Sequence, residues 1–305
     1  METNALPLVS VGIPTYNGGH RIFKPLESIW KQNYPNIEIL ISDNCSTDTT
    51  QNVIEELQKN HPEIKYFRQA VNIGQMPNYS FLLKNASGKY FIWVADDDAL
   101  EPEVIPQYVA FMERYALFSL VSGNIRYWKD DAPDVLESGF TFEQNSAGSR
   151  VFEFYSKVIY GGLLHGMMRT ELTRDVAIRH VVGNDYHFVA NLAYLGKIKN
   201  LDFVGYHKNF GGISKNFKQY AKHMREHWLV GYFPHIKIAS DAYAEVMHRS
   251  PVFSGMSPQS KLALAISSFF GVLFCYYGRI VVGMRVQNYV IYPLNGLFRK
   301  PLSKV

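Results

Sequence analysis

The run Asp96-Asp97-Asp98 follows the apolar stretch Tyr90–Ala95 without a break. Three adjacent carboxylates repel one another, so at the end of a buried strand they need a counter-charge. A hard divalent cation, Mn2+ or Mg2+, supplies one while keeping coordination sites for phosphate oxygens. The alternative is a solvated acidic turn that caps a helix opening near Pro102. Asp43 follows a second apolar run, and Asn17 and Asn72 lie in short turns. Each either caps its own turn or offers hydrogen bonds to a base or ribose. His165, in Gly161-Gly-Leu-Leu-His-Gly166, sits where glycines let a ligand approach closely, or is a buried polar side chain. Asp185 begins a helical pattern, where the helix dipole favours a carboxylate. Asp130-Asp131 lies in a polar stretch and reads as solvent-facing.

These residues need elements to hold them. Leu8–Pro14 reads as a buried strand, then a turn Thr15–Gly19, then a helix with Ile22, Leu26, Ile29 and Trp30 at helical spacing. Ile37–Ser42 is a second strand, and Ser46-Thr-Asp48 resembles the N-cap of a helix burying Val53, Ile54 and Leu57. Ile64–Phe67, Tyr90–Ala95 and Ala116–Ile125 read as further strands, with a helix over Pro77–Asn85 between the first two. Strands alternating with helices imply βαβ crossovers and a mostly parallel sheet. Ligands in such sheets sit beyond the carboxyl ends of the strands, where Thr15–Asn17, Asp43 and Asp96–Asp98 all fall. Beyond these, Lys129–Ser149 reads as a flexible loop or lid. Val151–Tyr160 reads as a helix, Leu163–Met168 as a return to the sheet, and Asp185–Leu195 as a helix capped by Gly196. Phe203–Gly212 reads as a strand and turn, and the chain looks helical from Ser214.

Val9-Ser-Val-Gly-Ile-Pro-Thr-Tyr-Asn17, Ile39-Leu-Ile-Ser-Asp-Asn-Cys-Ser-Thr-Asp48 with Thr50, Asn72-Ile-Gly74, Gly88-Lys-Tyr90 and Asp96-Asp-Asp98 together resemble the GT-A glycosyltransferases of family 2. The order and spacing match over about residues 7–115, and more weakly to about 215. The resemblance implies a GT-A fold, a Rossmann-like mostly parallel sheet flanked by helices, with a helical C-terminal extension. It implies an inverting transferase that takes a nucleotide-sugar donor and a glycan acceptor. Pro14, Thr15, Tyr16, Asn17, Asp43, Asn72, Gly74 and Asp96 would bind the donor, with Asp43 on the base. The family pattern Asp-x-Asp-Asp, counted back from Pro102, puts Ala95 at the first Asp and Asp97 at the principal metal ligand, with Asp96 or Asp98 as helper. Asp185 matches the catalytic base that opens a late helix, with Asn184 in place of the usual Glu. In Tyr206-His-Lys-Asn-Phe-Gly-Gly-Ile-Ser214, His207 or Asn209 would approach the metal or diphosphate while Lys208 faces solvent. His207 joins Asp97 and Asp98 as the expected metal set.

With 305 residues, 47% of them hydrophobic, the chain is long enough for one large or two modest cores, and it is neither disordered nor a disulfide scaffold. Two cysteines suggest a reducing compartment. Residues 1–196 carry 16 Lys+Arg and 23 Asp+Glu, and residues 197–305 carry 15 and 4, so an acidic front meets a basic back. With the resemblance reaching about residue 215, this implies a catalytic region over 1–215 and a helical, basic region over 216–305 that associates with a membrane or oligomerises. Leu262–Gly278 is uncharged and aromatic-rich, with bases at Lys261 and Arg279. Three readings stand for it: an interfacial helix on anionic lipid, a membrane span, or a core or homo-oligomer contact. The first fits a cytoplasmic protein peripheral to the inner face of the cytoplasmic membrane, with a polyprenyl-linked acceptor. No nucleic-acid motif accompanies the bases. A nucleotidyltransferase and a non-catalytic nucleotide- or glycan-binding scaffold are the competing functions.

Overall fold

A computed structural model describes residues 6–129, 132–158, 161–209 and 216–278. Nine strands form one sheet: β1 (Val9–Thr15), β2 (Ile37–Asp43), β3 (Ile64–Arg68), β4 (Tyr90–Trp93), β5 (Ala99–Leu100), β6 (Phe118–Lys129), β7 (Ala132–Glu137), β8 (Met167–Arg169) and β9 (Lys197–Asn209). Their order is β3-β2-β1-β4-β8-β6-β9-β5, with β7 pairing outside β6. The half from β3 to β4 is parallel, as expected of short apolar runs separated by helices. β6 and β9 are also parallel, while β8, β7 and β5 add antiparallel pairs.

The helices are α1 (Phe23–Trp30), α2 (Thr50–Gln58), α3 (Gln75–Asn85), α4 (Val104–Arg114), α5 (Ala147–Lys157), α6 (Thr170–Thr173), α7 (Asn184–Leu195), α8 (Phe217–His223), α9 (Pro234–Ala244) and α10 (Pro258–Leu273). They cover both faces of the sheet, because its central strands β1, β2, β4 and β8 are buried on both faces and side-chain alternation feeds two cores. Tyr90, Ile92 and Val94 pack with Ile22, Leu26, Ile29, Ile54 and Met112 on the α1, α2 and α4 side. Phe91 and Trp93 face the other way, into the layer of α3, α5 and α7. There Trp93 meets Phe91 and Phe188 edge-on, with ring centroids 4.8 and 5.3 Å apart.

The C-terminal helices belong to that second core. Ile238, Ala242, Leu264, Ala265 and Val272 share one buried cluster with Phe154 and Phe188. With the π-helical turn Phe274–Gly278, α10 makes a continuous helix whose span Pro258–Tyr277 has 20 residues and mean hydropathy 1.4, enough by length and composition to cross a membrane. One face packs against α5 and α9. The opposite face presents Leu262, Ile266, Phe270 and Phe274, four residues apart and all exposed.

Three expectations change. Lys129–Ser149 is not a loop: β7 forms an antiparallel hairpin with β6, and fully buried Phe142 bridges to Ile198. Its signal was masked because Leu136 lies exposed on an edge strand among polar residues. The return to the sheet is only Met167–Arg169, after a 3-10 turn over Gly161–His165. Its anchor is Arg169, whose buried guanidinium donates to the carbonyls of Phe118 and Met112 at 2.8 and 2.6 Å. Pro102 lies ahead of α4, which opens at Val104 behind left-handed Glu103 (φ 60°). Asp130-Asp131, Gly211-Gly212-Ile-Ser214, the 215/216 boundary and Arg279 with all that follows fall partly or wholly outside the described residues.

Candidate active site

The carboxyl ends of β1, β2 and β4 meet at one edge of the sheet. Asp96, Asp97 and Asp98 form a tight turn leaving β4, closed by Asp98 N–H donating to the Ala95 carbonyl at 3.1 Å. β5 then pairs with β9, Ala99 opposite His207 and Leu100 opposite Tyr206, which clamps the turn against β9. The acidic run therefore does not cap α4, and the three carboxylates have different partners. Asp96 accepts from Thr15 Oγ1 at 2.6 Å and pairs with Arg21 Nη2 at 2.9 Å. Asp98 accepts from Tyr206 OH at 3.0 Å and from Asn209 N–H at 2.8 Å. No neighbouring side chain among the described residues hydrogen-bonds Asp97. Burial and then the Asp96 charge raise its pKa. Burial likewise pushes Asp98 up to about 6, against the pull of Lys208.

The turn after β1 is sewn to the turn after β2. Thr50 Oγ1 accepts from Gly18 N–H and Gly19 N–H at 3.0 and 2.9 Å. Asn17, at φ 51°, accepts from Thr47 N–H at 2.8 Å. Asp43 is fully buried, its carboxylate accepting from Ser46 N–H at 2.8 Å and Tyr66 OH at 2.7 Å. Asn72 Oδ1 accepts from Gly74 N–H at 2.9 Å and Asn44 Nδ2 at 3.0 Å. Asp43, Asn17 and Asn72 thus hold turns. Pro14 is buried within β1, and Tyr16 is exposed at its end. Gly74 takes a φ of 90° that favours glycine.

Gly18 has a different requirement, space: a Cβ there would lie 2.2 Å from Thr15 Oγ1 and 2.5 Å from Asp96 Oδ2. Gly18→Ala is therefore expected to split the Thr15–Asp96–Arg21 group and to lower stability by about 1–3 kcal/mol, the usual cost of overpacking. An unchanged melting temperature in calorimetry would contradict this.

Across the crevice, α7 opens at Gly183 (φ 81°), and Asp185 lies in its first turn with Oδ1 accepting from Tyr186 N–H at 3.0 Å. Burial raises the Asp185 pKa, partly offset by Lys208. Asn184 Nδ2 donates to Tyr220 OH at 3.0 Å, so α8 walls this side.

β9 decides what its residues reach, because neighbours on a strand point to opposite faces. Tyr206 and Lys208 face the crevice. His207 faces away and is paired with Glu101 through Nε2. The structure therefore does not bring His207 to Asp97 and Asp98, and Lys208 is not turned to solvent. Lys208 Nζ donates to His165 Nε2 at 3.0 Å. His165 is buried and stacked on Tyr206 with centroids 4.3 Å apart, and its pKa falls well below the usual value through burial and Lys208. The glycines beside it serve packing: a Cβ on Gly166 would meet the Val121 carbonyl at 2.6 Å. Arg21 and Glu137 are crevice residues to which sequence reading assigns no role in this site, and Lys208 is one that it turns to solvent. Glu137, on β7, is buried with a raised pKa.

Among the described residues, no group of three His, Cys, Asp or Glu side chains forms a metal cage. The donor set fits an open site instead. Asp97, half-buried and without a salt-bridge partner among the described residues, with buried Asp98 beside it, supplies the one or two carboxylates a hard cation takes when phosphate and water complete its shell.

Residues 10–162 match the family model described as glycosyl transferase family 2. The chain is 38% identical over 96 residues to a Campylobacter jejuni GalNAc(5)-diNAcBac-PP-undecaprenol beta-1,3-glucosyltransferase, covering 31% of each. It is 32% identical over 118 residues to the putative teichuronic acid biosynthesis glycosyltransferase TuaG of Bacillus subtilis, covering 38% of this chain and 47% of that one. It therefore spans less than half of either relative. Among solved structures, S. aureus TarS 1-349 in complex with UDP-GlcNAc superposes with a TM-score of 0.62 at 20% identity, over 92% of this chain and 76% of that one. The mannosyltransferase PcManGT from Pyrobaculum calidifontis, in complex with GDP-Man and Mn2+, gives 0.53 at 16%, over 90% and 89%. At those identities the likeness is one of fold.

Proposed function

The chain belongs to glycosyl transferase family 2, and from that membership we propose that it is an inverting enzyme moving a sugar from a nucleoside-diphosphate donor to a glycan hydroxyl. The observation that supports this reading most is that two half-buried carboxylates, Asp97 with no salt-bridge partner among the described residues and Asp185 at a helix opening, both lie within electrostatic reach of Lys208 on β9. The nucleoside lies along Pro14, Thr15, Tyr16 and Asn17, over the turns that Asp43, Asn72 and Gly74 hold in shape. Asp96, fixed by Thr15 and Arg21, faces the ribose. Asp185 takes the proton of the acceptor hydroxyl as its oxygen bonds to the anomeric carbon. The bond from that carbon to the diphosphate breaks in the same displacement, which inverts the configuration. A Mn2+ or Mg2+ ion held by Asp97 and Asp98 would neutralise charge on the departing diphosphate; PcManGT, of the same fold, was solved with Mn2+.

A nucleotidyltransferase would need a glycine-rich basic loop near the N-terminus, but Gly18 and Gly19 are already engaged with Thr50. Incubation with a panel of UDP-, GDP- and dTDP-sugars tests the reading. Metal-dependent release of nucleoside diphosphate from one donor is expected, and release from none would overturn it.

The acceptor side points to a surface glycan carried on a polyprenyl lipid, as the name of the Campylobacter relative includes undecaprenol. The exposed ladder Leu262, Ile266, Phe270 and Phe274, the exposed Trp228, Tyr232 and Phe233, and Lys218 lying 4.2 Å over the Tyr232 ring support a peripheral seat on anionic lipid. A seat on the cytoplasmic leaflet accords with the nucleotide-sugar donor proposed above. Because Leu264, Ala265 and Val272 are core residues, deleting α10 would unfold the layer, so outer-face substitutions make the better test. Phe270→Ser with Phe274→Ser is expected to abolish co-sedimentation with phosphatidylglycerol vesicles while circular dichroism stays unchanged. Retained co-sedimentation would contradict the lipid seat.

A further inference from the structure

Lys208 is a cation with an unusual set of neighbours. Tyr206 OH and Asn209 N–H, on either side of it in β9, both bond Asp98, so the backbone of residue 208 is pinned against the acidic turn. Its register is fixed again by pairing with Tyr127 of β6. The ammonium donates to His165 Nε2, and His165 is buried and held neutral by its surroundings. A neutral acceptor orients the ammonium without cancelling its charge, and among the described residues two of its N–H donors have no partner. Among the described residues no carboxylate lies close enough to Lys208 to form a salt bridge, whereas Arg21 is already paired with Asp96. Yet Asp97, Asp98, Glu137 and Asp185 all feel its charge. The crevice thus contains a preset, uncommitted positive charge between the acidic turn and the acceptor side.

We propose that Lys208 is a binding residue for the diphosphate of the donor, held ready by His165 and Tyr206, and that it supplies part of the positive charge the leaving group needs alongside any divalent ion. The proposal rests on the crevice being a nucleotide-sugar site. A preorganised donor aimed at developing charge is the arrangement that stabilises such a leaving group without reorganisation. Lys208 and a divalent ion share the same carboxylate field, so removing the lysine has effects of opposite sign on the two ligands.

Binding is measured by calorimetry on the full chain and on Lys208→Met and Lys208→Arg, with inorganic pyrophosphate, UDP and GDP in EDTA, and separately with Mn2+ alone. Lys208→Met is expected to weaken diphosphate binding about tenfold or more, the scale of a lost charge-assisted hydrogen bond, and to tighten Mn2+ binding severalfold. Lys208→Arg, which keeps the charge, is expected to restore both toward the native values. A lysine that merely braced Asp98 would leave diphosphate affinity unchanged or weaken both ligands together, and either result overturns the proposal. So does a native chain that binds none of the three diphosphate probes in EDTA. Lysine-dependent diphosphate binding with no turnover of any nucleotide sugar would sink the transferase reading and leave this one standing.

Discussion

Asp185→Asn is expected to lower kcat by about a thousandfold, within the range that a positioned general base contributes, and to leave the donor KM within about a factor of two. The substitution is isosteric, and Asn keeps the acceptor oxygen that receives Tyr186 N–H, so α7 and the crevice walls stay in place. What is lost is the ability to take a proton. A matching pH signature is expected of the native enzyme. Burial raises the Asp185 pKa above the 3.8 of a free aspartate, and the group is a base only when ionised. Activity therefore falls on acidification at a higher pH than a solvated aspartate would give. A kcat profile whose acid limb lies at the unperturbed carboxylate value would contradict this, as would an Asn variant turning over at the native rate.

Asp97→Asn gives the second large effect, with opposite consequences for activity and stability. Its carboxylate has no hydrogen-bonding side-chain partner among the described residues and sits beside Asp96, so burial and repulsion raise its pKa in the folded chain. A folded-state pKa above the unfolded value means that the ionised group destabilises the fold above the unfolded pKa, a strain relieved as pH falls through the folded one. Asn removes that cost, so the melting temperature at pH 7 stays level or rises. Activity is expected to fall by about two to three orders of magnitude, because under the proposed mechanism the charge that would retain a divalent ion at the leaving group is gone. EDTA treatment of the native enzyme is expected to produce a comparable loss that Mn2+ or Mg2+ reverses. An Asn variant that is both less stable and fully active would refute the assignment. Function placed at a locally strained carboxylate is a common exchange of stability for activity.

The donor half was legible because its signals are local. Three apolar runs, β1, β2 and β4, are buried on both faces, and the polar residues that end them fall at the carboxyl edge of a parallel sheet whatever the details of pairing. The acceptor half depends on non-local facts. Which of His207 and Lys208 enters the crevice is a question of strand parity, and parity is set by pairing with β5 and β6, far away in sequence. A two-residue strand such as β5 leaves almost no pattern. Glu137 was hidden because its strand is a polar edge hairpin, and β8 because its defining residue, Arg169, is a buried base held by carbonyls from α4 and β6. The C-terminal helices gave a true signal of apolarity, yet only packing separates the face that joins the core from the face that does not.

The most direct test of the central claim is the configuration of the sugar at the moment of transfer. Once a donor with an α-linked sugar is identified by nucleotide release, proton NMR on the first turnovers reads the anomeric proton of the product. A single displacement with Asp185 as base predicts a β product formed first, while an α product would contradict the account at its centre.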